Sequence, residues 1–213
     1  KPIKKLVMSG ILGGPLKVTV SGITGFNWKH NWSGRTDLSK QPVPKNLDYD
    51  MWLGSAPKRA FNPRRFHGSW RWFFDYGAGD LGNDGVHRLD MAFAALSAAV
   101  ETEGGQPLRM PRKISGTGGK WHFDDAQEWP DTMQVTYEYS GKPPRILTYE
   151  MRIWAPYDYL GEGEGAAVFG DQGYIILGNR GWRAYTSGGK LLKQHGGDSD
   201  AAAHVQDFID CIK

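Results

Sequence analysis

The chain has 213 residues, 39% of them hydrophobic and 23% charged, which is enough for one globular domain with a sizeable core. Its net charge of +3 comes without a dense run of Lys or Arg, and no apolar run reaches the length of a membrane span, so we expect neither a nucleic acid nor a membrane as partner. The single cysteine, Cys211, excludes an internal disulfide and a cysteine-based metal cluster, and we expect no metal site.

The first segment, residues 2–22, predicts the end of an amphipathic helix followed by a strand. Apolar residues recur at helical spacing over 3–7 and alternate with polar ones over 16–20. Because the chain starts at Lys1 inside the helical pattern, we expect it to be a piece of a longer protein. The presence of a targeting segment ahead of Lys1 is left open, so the cellular location is either cytoplasmic or periplasmic.

Residues 26–69 form a long polar stretch rich in Pro, Asn, Trp and Arg. Connections of this length inside a domain are usually functional loops. Within the stretch, DYDMWLG at 48–54 predicts a short helix. Trp28 is a candidate pocket residue, because the chain has nine Trp, more than core filling requires, and an indole with an apolar face and a polar edge can stack on a sugar ring.

The segment NDGVHRLDMAFAALSAAV predicts a helix whose apolar residues, from Val86 to Val100, are spaced three or four apart and face the core. Asn83 or Asp84 is a candidate N-cap. His87 follows Asn83 by four residues on the same face, near the positive end of the helix dipole. That position favours a neutral imidazole, which can accept a proton.

The remainder of the chain is dominated by strand patterns of period two. These patterns occupy 112–121, 131–140, 145–154 and 164–194, the last divided by Gly-rich turns, and a final helix is predicted at 201–213. Successive strands with helices before and after them predict an α+β domain with a mainly antiparallel sheet. The mixed apolar sheet surface left open by these strands favours self-association.

The run from Gly77 to Gly82 spells G-x-G-x-x-G, the pattern of a dinucleotide-binding loop, but its context does not fit. The aromatic run 70–76 is not the buried, Val/Ile-rich strand that such a loop follows. Asp80 would also place a negative charge against a pyrophosphate. We therefore expect no cofactor site in this chain, and a loop that orients side chains toward another ligand.

Three motifs around this loop are specific when taken together: W-L-G-x-A-P at 52–57, W-R-W-F-x-D-Y-G at 70–77 and G-D-L-G-N-x-G-x-H-x-L-D at 79–90. With them, essentially the whole chain resembles the C-terminal domain of the glucose–fructose oxidoreductase / inositol dehydrogenase / rhizopine-catabolism (Gfo/Idh/MocA) family. The resemblance implies one α+β substrate-binding and oligomerisation domain over residues 1–213, with an open, predominantly antiparallel sheet and helices on one face. It also implies a homo-oligomer formed through the other face. NAD or NADP would be bound mainly by an N-terminal Rossmann domain that is absent from this sequence.

The resemblance assigns the family's catalytic D-x-x-x-H pattern to Asn83 and His87. His87 would act as general acid/base or orient the substrate. Asn83 departs from the family's Asp, so Asp80 or Asp84 is the alternative acidic partner. A structural histidine bonded to a backbone carbonyl is the competing interpretation of His87.

Substrate-binding candidates offer stacking faces, guanidinium donors or groups that bond sugar hydroxyls. They are Trp28, Trp70, Arg71, Trp72, Asp75, Tyr76 and Asp80. If residues 70–72 form a strand, Arg71 points away from the two Trp; only an irregular loop lets all three converge. A structural ion pair between Asp75 and Arg71 is the alternative to a sugar contact.

These residues favour the substrate-binding domain of an NAD(P)-dependent oxidoreductase that acts on a sugar or polyol and is inactive as this chain alone. A second interpretation keeps the family but uses transient oxidation by bound NAD to drive epimerisation, elimination or glycosidic cleavage. A third is a non-catalytic carbohydrate-binding or assembly domain, which Asn83 in place of Asp favours.

Overall fold

The computed structural model describes residues 2–14, 16–22, 36–142, 144–154, 158, 160–178, 181–196 and 201–212. The helices are α1 (Pro2–Met8), α2 (Tyr49–Leu53), α3 (Val86–Thr102) and α4 (Ala201–Ile212), with 3₁₀ turns at Pro63–Arg65 and Ser69–Trp72 and a π-helical turn at Leu81–Gly85. The strands are β1 (Lys17–Gly22), β2 (Lys113–Gly119), β3 (Thr132–Tyr139), β4 (Arg145–Arg152), β5 (Gly165–Phe169), β6 (Gly173–Gly178), β7 (Gly181–Thr186) and β8 (Leu191–His195). Each predicted helix and strand in these parts of the chain is confirmed.

The eight strands form one sheet in the order β2-β3-β4-β1-β5-β6-β7-β8. Strands β1 and β4 run parallel, with Val18 opposite Leu147 and Val20 opposite Tyr149. The other neighbouring pairs are antiparallel. The predicted α+β class with a mainly antiparallel sheet is confirmed.

Alternation along the strands gives the sheet one buried face. In β4, Leu147, Tyr149 and Met151 are buried, whereas Ile146 is exposed and Thr148 is partly exposed on the opposite face. Helix α3 packs over β1, β4 and β5, and α1 packs beside α3. The two helices and the buried strand residues enclose the hydrophobic core.

The core-facing side of α3 differs from the predicted one. Leu96 is buried as expected, but Val86 is exposed and Phe93 is only partly buried. The other buried residues of the helix are small: Ala92, Ala95, Ser97, Ala98 and Ala99. Because small side chains let a helix approach its neighbours closely, the helix turns its alanines to the core and leaves the larger residues at the edge.

The helix that contains His87 also begins earlier than predicted. The backbone becomes helical immediately after the left-handed Gly79, passes through the π-helical turn and continues as α3. The predicted cap is wrong, since Asn83 and Asp84 lie inside the helix and Gly85 precedes α3 without a side-chain bond. His87 therefore lies about two turns after the helix start. The helix dipole acts mainly within the first turn, so it has little effect at His87.

Helix α4 is exposed along Ala201–Ile212, including its apolar residues Val205, Phe208 and Ile212. None of the helices in the described residues combines the length and apolar character needed to cross a bilayer.

Two glycines let the start of the long helix lie against bulky side chains. Gly79 has a φ of +65°, and a Cβ there would lie 2.8 Å from the Cβ of Trp129. A Cβ at Gly85 would lie 2.7 Å from the hydroxyl oxygen of Tyr149, which is fully buried in β4. Gly79 is therefore required for both backbone conformation and space, and Gly85 for space alone.

Substitution Gly79→Ala should lower the free energy of unfolding by two separable contributions. The left-handed backbone should cost about 1–2 kcal/mol, and overpacking against Trp129 about 1–3 kcal/mol more. Gly104→Ala is the matched control, because Gly104 also has a positive φ, +79°, but no atom lies within 4 Å of the added Cβ. Urea unfolding of the two variants measures the difference; equal losses would show that Trp129 moves aside without cost.

Candidate functional site

The 3₁₀ turn Ser69–Trp72 decides which of its aromatic residues are available to a ligand. Trp72 is 1% exposed and lies in the interior, so its indole offers no open face to a sugar. Trp70 is partly exposed, and the guanidinium carbon of Arg71 lies 4.7 Å from the centroid of its ring. The segment is neither a strand nor an irregular loop, and Trp70 and Arg71 meet while Trp72 does not join them.

Arg71 connects this turn to the π-helical turn. Its Nε donates a 2.6 Å hydrogen bond to Oδ1 of Asn83, and a terminal nitrogen donates a 3.1 Å bond to the carbonyl oxygen of Gly68. Because Oδ1 of Asn83 accepts from Arg71, the amide nitrogen of Asn83 keeps two N–H donors for another partner. Two of the predicted site residues are thus joined directly.

A cleft of about 500 Å³ opens beside Trp70. It is lined by Trp52, Leu53, Ser55, Ala56, Pro57, Trp70, Asp75 and Tyr76. The sequence pattern predicted Trp70, Asp75 and Tyr76 as site residues. The other five residues were not predicted as site residues. All five lie within the W-L-G-x-A-P motif at 52–57, so the motif could have identified them.

A second groove, of about 350 Å³, lies between α3 and strands β2 and β3. Its lining is mainly apolar and contains none of the predicted site residues. We therefore regard the cleft beside Trp70 as the candidate site.

Asp75 forms its ion pair with Arg59 and not with Arg71. A terminal nitrogen of Arg59 also lies 3.4 Å from Oε1 of Glu128, and Oε2 of Glu128 accepts a 2.7 Å bond from the backbone N–H of Phe74. The predicted alternative of an Asp75–Arg71 pair is therefore wrong. Arg59 holds Asp75 at the edge of the cleft and fastens that edge to the segment around Glu128.

The segment before β3 forms a wall behind these residues. Nε1 of Trp129 donates a 2.8 Å bond to the carbonyl oxygen of Gly77, and the Trp129 ring meets Phe74 edge-on at 4.6 Å between centroids. The buried carboxylate of Asp131 accepts backbone bonds from residues 121–123 at 2.8–3.1 Å. These contacts fix the wall against the glycine-containing loop.

Tyr76 packs into the cleft wall, with its ring centroid 5.3 Å from that of Trp52. Burial of the phenol, together with the neighbouring Tyr49 hydroxyl, raises the pKa of Tyr76 to about 12. The Tyr76 hydroxyl therefore stays protonated at neutral pH and can donate a hydrogen bond.

The interior beneath the π-helical turn is polar. Asp80 is 1% exposed, so it faces the inside of the domain and not the cleft. Burial, reinforced by the carboxylates of Asp80 and Asp84, raises the pKa of the Tyr149 hydroxyl above its ordinary value. The sequence did not single out Tyr149; its place as an inward residue of β4 is the signal that identifies it.

His87 is exposed on α3, four residues after Asn83. In the described part of the chain no hydrogen bond holds its imidazole, so the alternative of a structural bond to a backbone carbonyl has no support there. Trp28, the remaining predicted pocket residue, lies outside the described residues. No group of three or more His, Cys, Asp and Glu side chains in the described ranges could hold a metal ion.

The glycine-containing loop does not fit a dinucleotide. A 3₁₀ turn, not a strand, precedes it. A Cβ at Gly77 would lie 2.7 Å from the Cα of Arg71, and the space beside Gly79 is filled by Trp129. These glycines bring protein groups together, whereas the dinucleotide loop uses glycines to admit a pyrophosphate.

Residues 1–152 match a protein-family model described as "Oxidoreductase family, C-terminal alpha/beta domain". The chain belongs to the Gfo/Idh/MocA family. A search among curated proteins gave no match.

Several solved structures share the fold of this family domain. An oxidoreductase from Thermotoga maritima is 15% identical with a TM-score of 0.54, the match covering 99% of this chain and 47% of that one. Levoglucosan dehydrogenase in complex with NADH and levoglucosan is 12% identical with a TM-score of 0.50, covering 92% and 42%. The transcriptional regulator Gal80p from Kluyveromyces lactis is 11% identical with a TM-score of 0.54, covering 99% and 47%. The chain spans about half the length of these structures.

The pKa of Tyr76 predicts a stability change at alkaline pH. Its folded pKa of about 12 exceeds the ordinary value of 10.0, so its contribution is fully present below about pH 10 and is lost as the pH rises through 12. Between these values the free energy of unfolding should fall more steeply for the unmodified protein than for Tyr76→Phe. Urea unfolding at several pH values measures both slopes; parallel slopes would mean that Tyr76 is not buried as described.

Proposed function

We propose that this chain is the substrate-binding domain of an NAD(P)-dependent oxidoreductase that oxidises a hydroxyl of a sugar or polyol. The observation that carries the proposal is the Arg71–Asn83 hydrogen bond. It connects an aromatic-walled cleft to the helix that bears an exposed histidine. Family membership supports the reaction class, and levoglucosan dehydrogenase, solved with NADH and levoglucosan, shares the fold.

The cleft suits a small polyhydroxylated ligand. A volume of about 500 Å³ lies within the range of small-molecule sites. The rings of Trp52 and Trp70 can cover the apolar face of a sugar ring. The hydroxyl of Ser55 and the carboxylate of Asp75 supply a donor and acceptors for sugar hydroxyls.

In this proposal His87 handles the proton and Asn83 orients the substrate. His87 accepts the proton of the reacting hydroxyl as the hydride leaves the same carbon. The amide N–H groups of Asn83, turned away from Arg71, donate to a substrate oxygen. A nicotinamide would supply the hydride acceptor, and because the glycine-containing loop does not fit a dinucleotide, we expect the cofactor to be held outside this domain.

The role of His87 predicts the effect of removing its imidazole from the complete protein. His87→Ala should lower kcat by about 10²–10⁴ while leaving the Kd for NAD(P)H nearly unchanged. His87→Gln should retain some substrate binding, because its amide still forms hydrogen bonds, without restoring the rate. The matched control is His67→Ala, an exposed histidine whose ring contacts Phe66, and its turnover should be unaffected.

Steady-state kinetics and nicotinamide fluorescence supply these values. Near-normal turnover by His87→Ala would contradict the proton role. Activity that persists without net consumption of added NAD(P) would instead support the transient-redox interpretation.

A second candidate is a non-catalytic carbohydrate-binding domain. Asn83, a neutral amide where the family pattern has a carboxylate, favours it, and the regulator Gal80p shares the fold. In that case the complete protein would bind a sugar saturably and oxidise none, with either NAD or NADP.

We also propose that copies associate through the face of the sheet opposite α3. Phe169, Tyr174 and Tyr185 stack across β5, β6 and β7 there, with centroid separations of 5.9 and 5.0 Å, and Leu191 continues the patch on β8. Stacked rings beside an exposed leucine form an apolar surface of the kind that partners cover.

Introducing charge into this patch should break the assembly. Sedimentation of the complete protein should give an oligomer, and Tyr174→Glu and Tyr185→Glu should shift it toward the monomer. Met51→Glu, which changes an exposed apolar residue of α2, should leave the sedimentation unchanged. A monomeric unmodified protein, or Tyr variants that remain assembled, would overturn this interface.

A further inference from the structure

We propose that the substrate carries a carboxylate and that Arg71 binds it, so that the domain selects sugar acids over neutral sugars. This inference rests on the proposed function and narrows its substrate class.

The first observation is that the charge of Arg71 is not balanced within the domain. Its partners among the described residues are all neutral: the amide oxygen of Asn83, the carbonyl oxygen of Gly68 and the ring of Trp70. No aspartate or glutamate in the described residues pairs with it. A guanidinium has five N–H donors and these bonds use two, so donors remain for a ligand.

The second observation is that two cations close to the cleft, Arg59 and Lys58, are balanced by carboxylates. Arg59 contacts the carboxylates of Asp75 and Glu128, and Lys58 lies 2.8 Å from Asp50. A partly buried charge with only neutral partners is costly, because it has lost part of its hydration without gaining a counter-ion. A ligand anion would supply the counter-ion that the described residues do not give to Arg71.

Asn83 keeps Arg71 available. Its Oδ1 occupies, at 2.6 Å from Nε, the place that a carboxylate oxygen would take in an ion pair. As an amide it orients the guanidinium without neutralising it. A carboxylate at residue 83 would instead pair with Arg71 and compete with a ligand anion.

Charge balance and spacing favour a carboxylate on a sugar-sized molecule. One unpaired guanidinium matches one negative charge. The planar fork of arginine also matches a carboxylate in a two-bond arrangement. His87 follows the residue bonded to Arg71 by four positions, about 6 Å along a helix, so a carboxylate and a reacting hydroxyl on one sugar ring can meet both residues.

The test compares dissociation constants of the complete protein for D-glucuronate, D-glucose and D-glucose 6-phosphate, measured by calorimetry. The unmodified protein should bind glucuronate about tenfold or more tightly than glucose, the gain expected of a charged hydrogen bond. Arg71→Gln should bring the ratio close to one, and Asn83→Asp should also reduce it by supplying an internal counter-ion. Lys58→Gln, which removes a nearby exposed and already paired cation, should preserve the ratio.

Equal affinity for glucose and glucuronate, or a preference that survives in Arg71→Gln, would overturn the inference, as would the absence of glucuronate binding. Tighter binding of glucose 6-phosphate would also overturn it, in favour of a phosphate. If Arg71→Gln does not fold, Asn83→Asp carries the test.

Because these are binding ratios, they are independent of turnover. Oxidation of neutral sugars without an acid preference would contradict this inference alone. Acid-selective binding without any NAD(P) reduction would contradict the proposed function alone.

Discussion

The architecture of the site depends on how closely the segment from Gly77 to Gly85 approaches its surroundings. A side chain at Gly77, Gly79 or Gly85 would collide with Arg71, Trp129 or Tyr149, respectively. These contacts set the start of the long helix directly against the 3₁₀ turn, the wall before β3 and the sheet. The glycines thus serve packing between protein groups, which explains why a sequence with the spelling of a dinucleotide loop lacks its geometry.

One consequence of this packing is an uneven distribution of charge. The carboxylates near the cleft are engaged: Asp75 and Glu128 with Arg59, and Asp80 inside the domain. Arg71, placed on Trp70 and bonded to Asn83, keeps its positive charge. The surface around the cleft therefore combines aromatic rings, the Asn83 amide and the Arg71 guanidinium, and the sheet and α3 support it.

Local pattern was sufficient for much of the fold. The alternation of Leu147, Tyr149 and Met151 predicted β4, and the spacing before Val100 predicted α3. The pattern failed where the outcome depended on distant partners. Alanines replaced Val86 on the core side because α1 and the sheet both lie close to the helix, and the helix began before Asn83 because glycines there allow contact with Trp129.

For the site, too, the sequence motifs identified individual residues but not the contacts between distant segments. The motifs identified Trp70, Arg71, Asn83 and His87, and the structure joins the middle two by a hydrogen bond. They did not reveal that Trp72 points inward, since a 3₁₀ turn rotates successive side chains by about 120° and so directs Trp70 and Trp72 to different sides. Nor did they indicate Arg59 as the partner of Asp75, because that pair joins segments separated by a turn and a loop.

The measurement that most directly tests the central claim, that this loop positions substrate-binding groups and not a dinucleotide, is a nicotinamide fluorescence titration of the 213-residue chain with NADH and NADPH. We expect no saturable signal below about 1 mM, whereas a Kd of about 1 μM would contradict this interpretation of the loop.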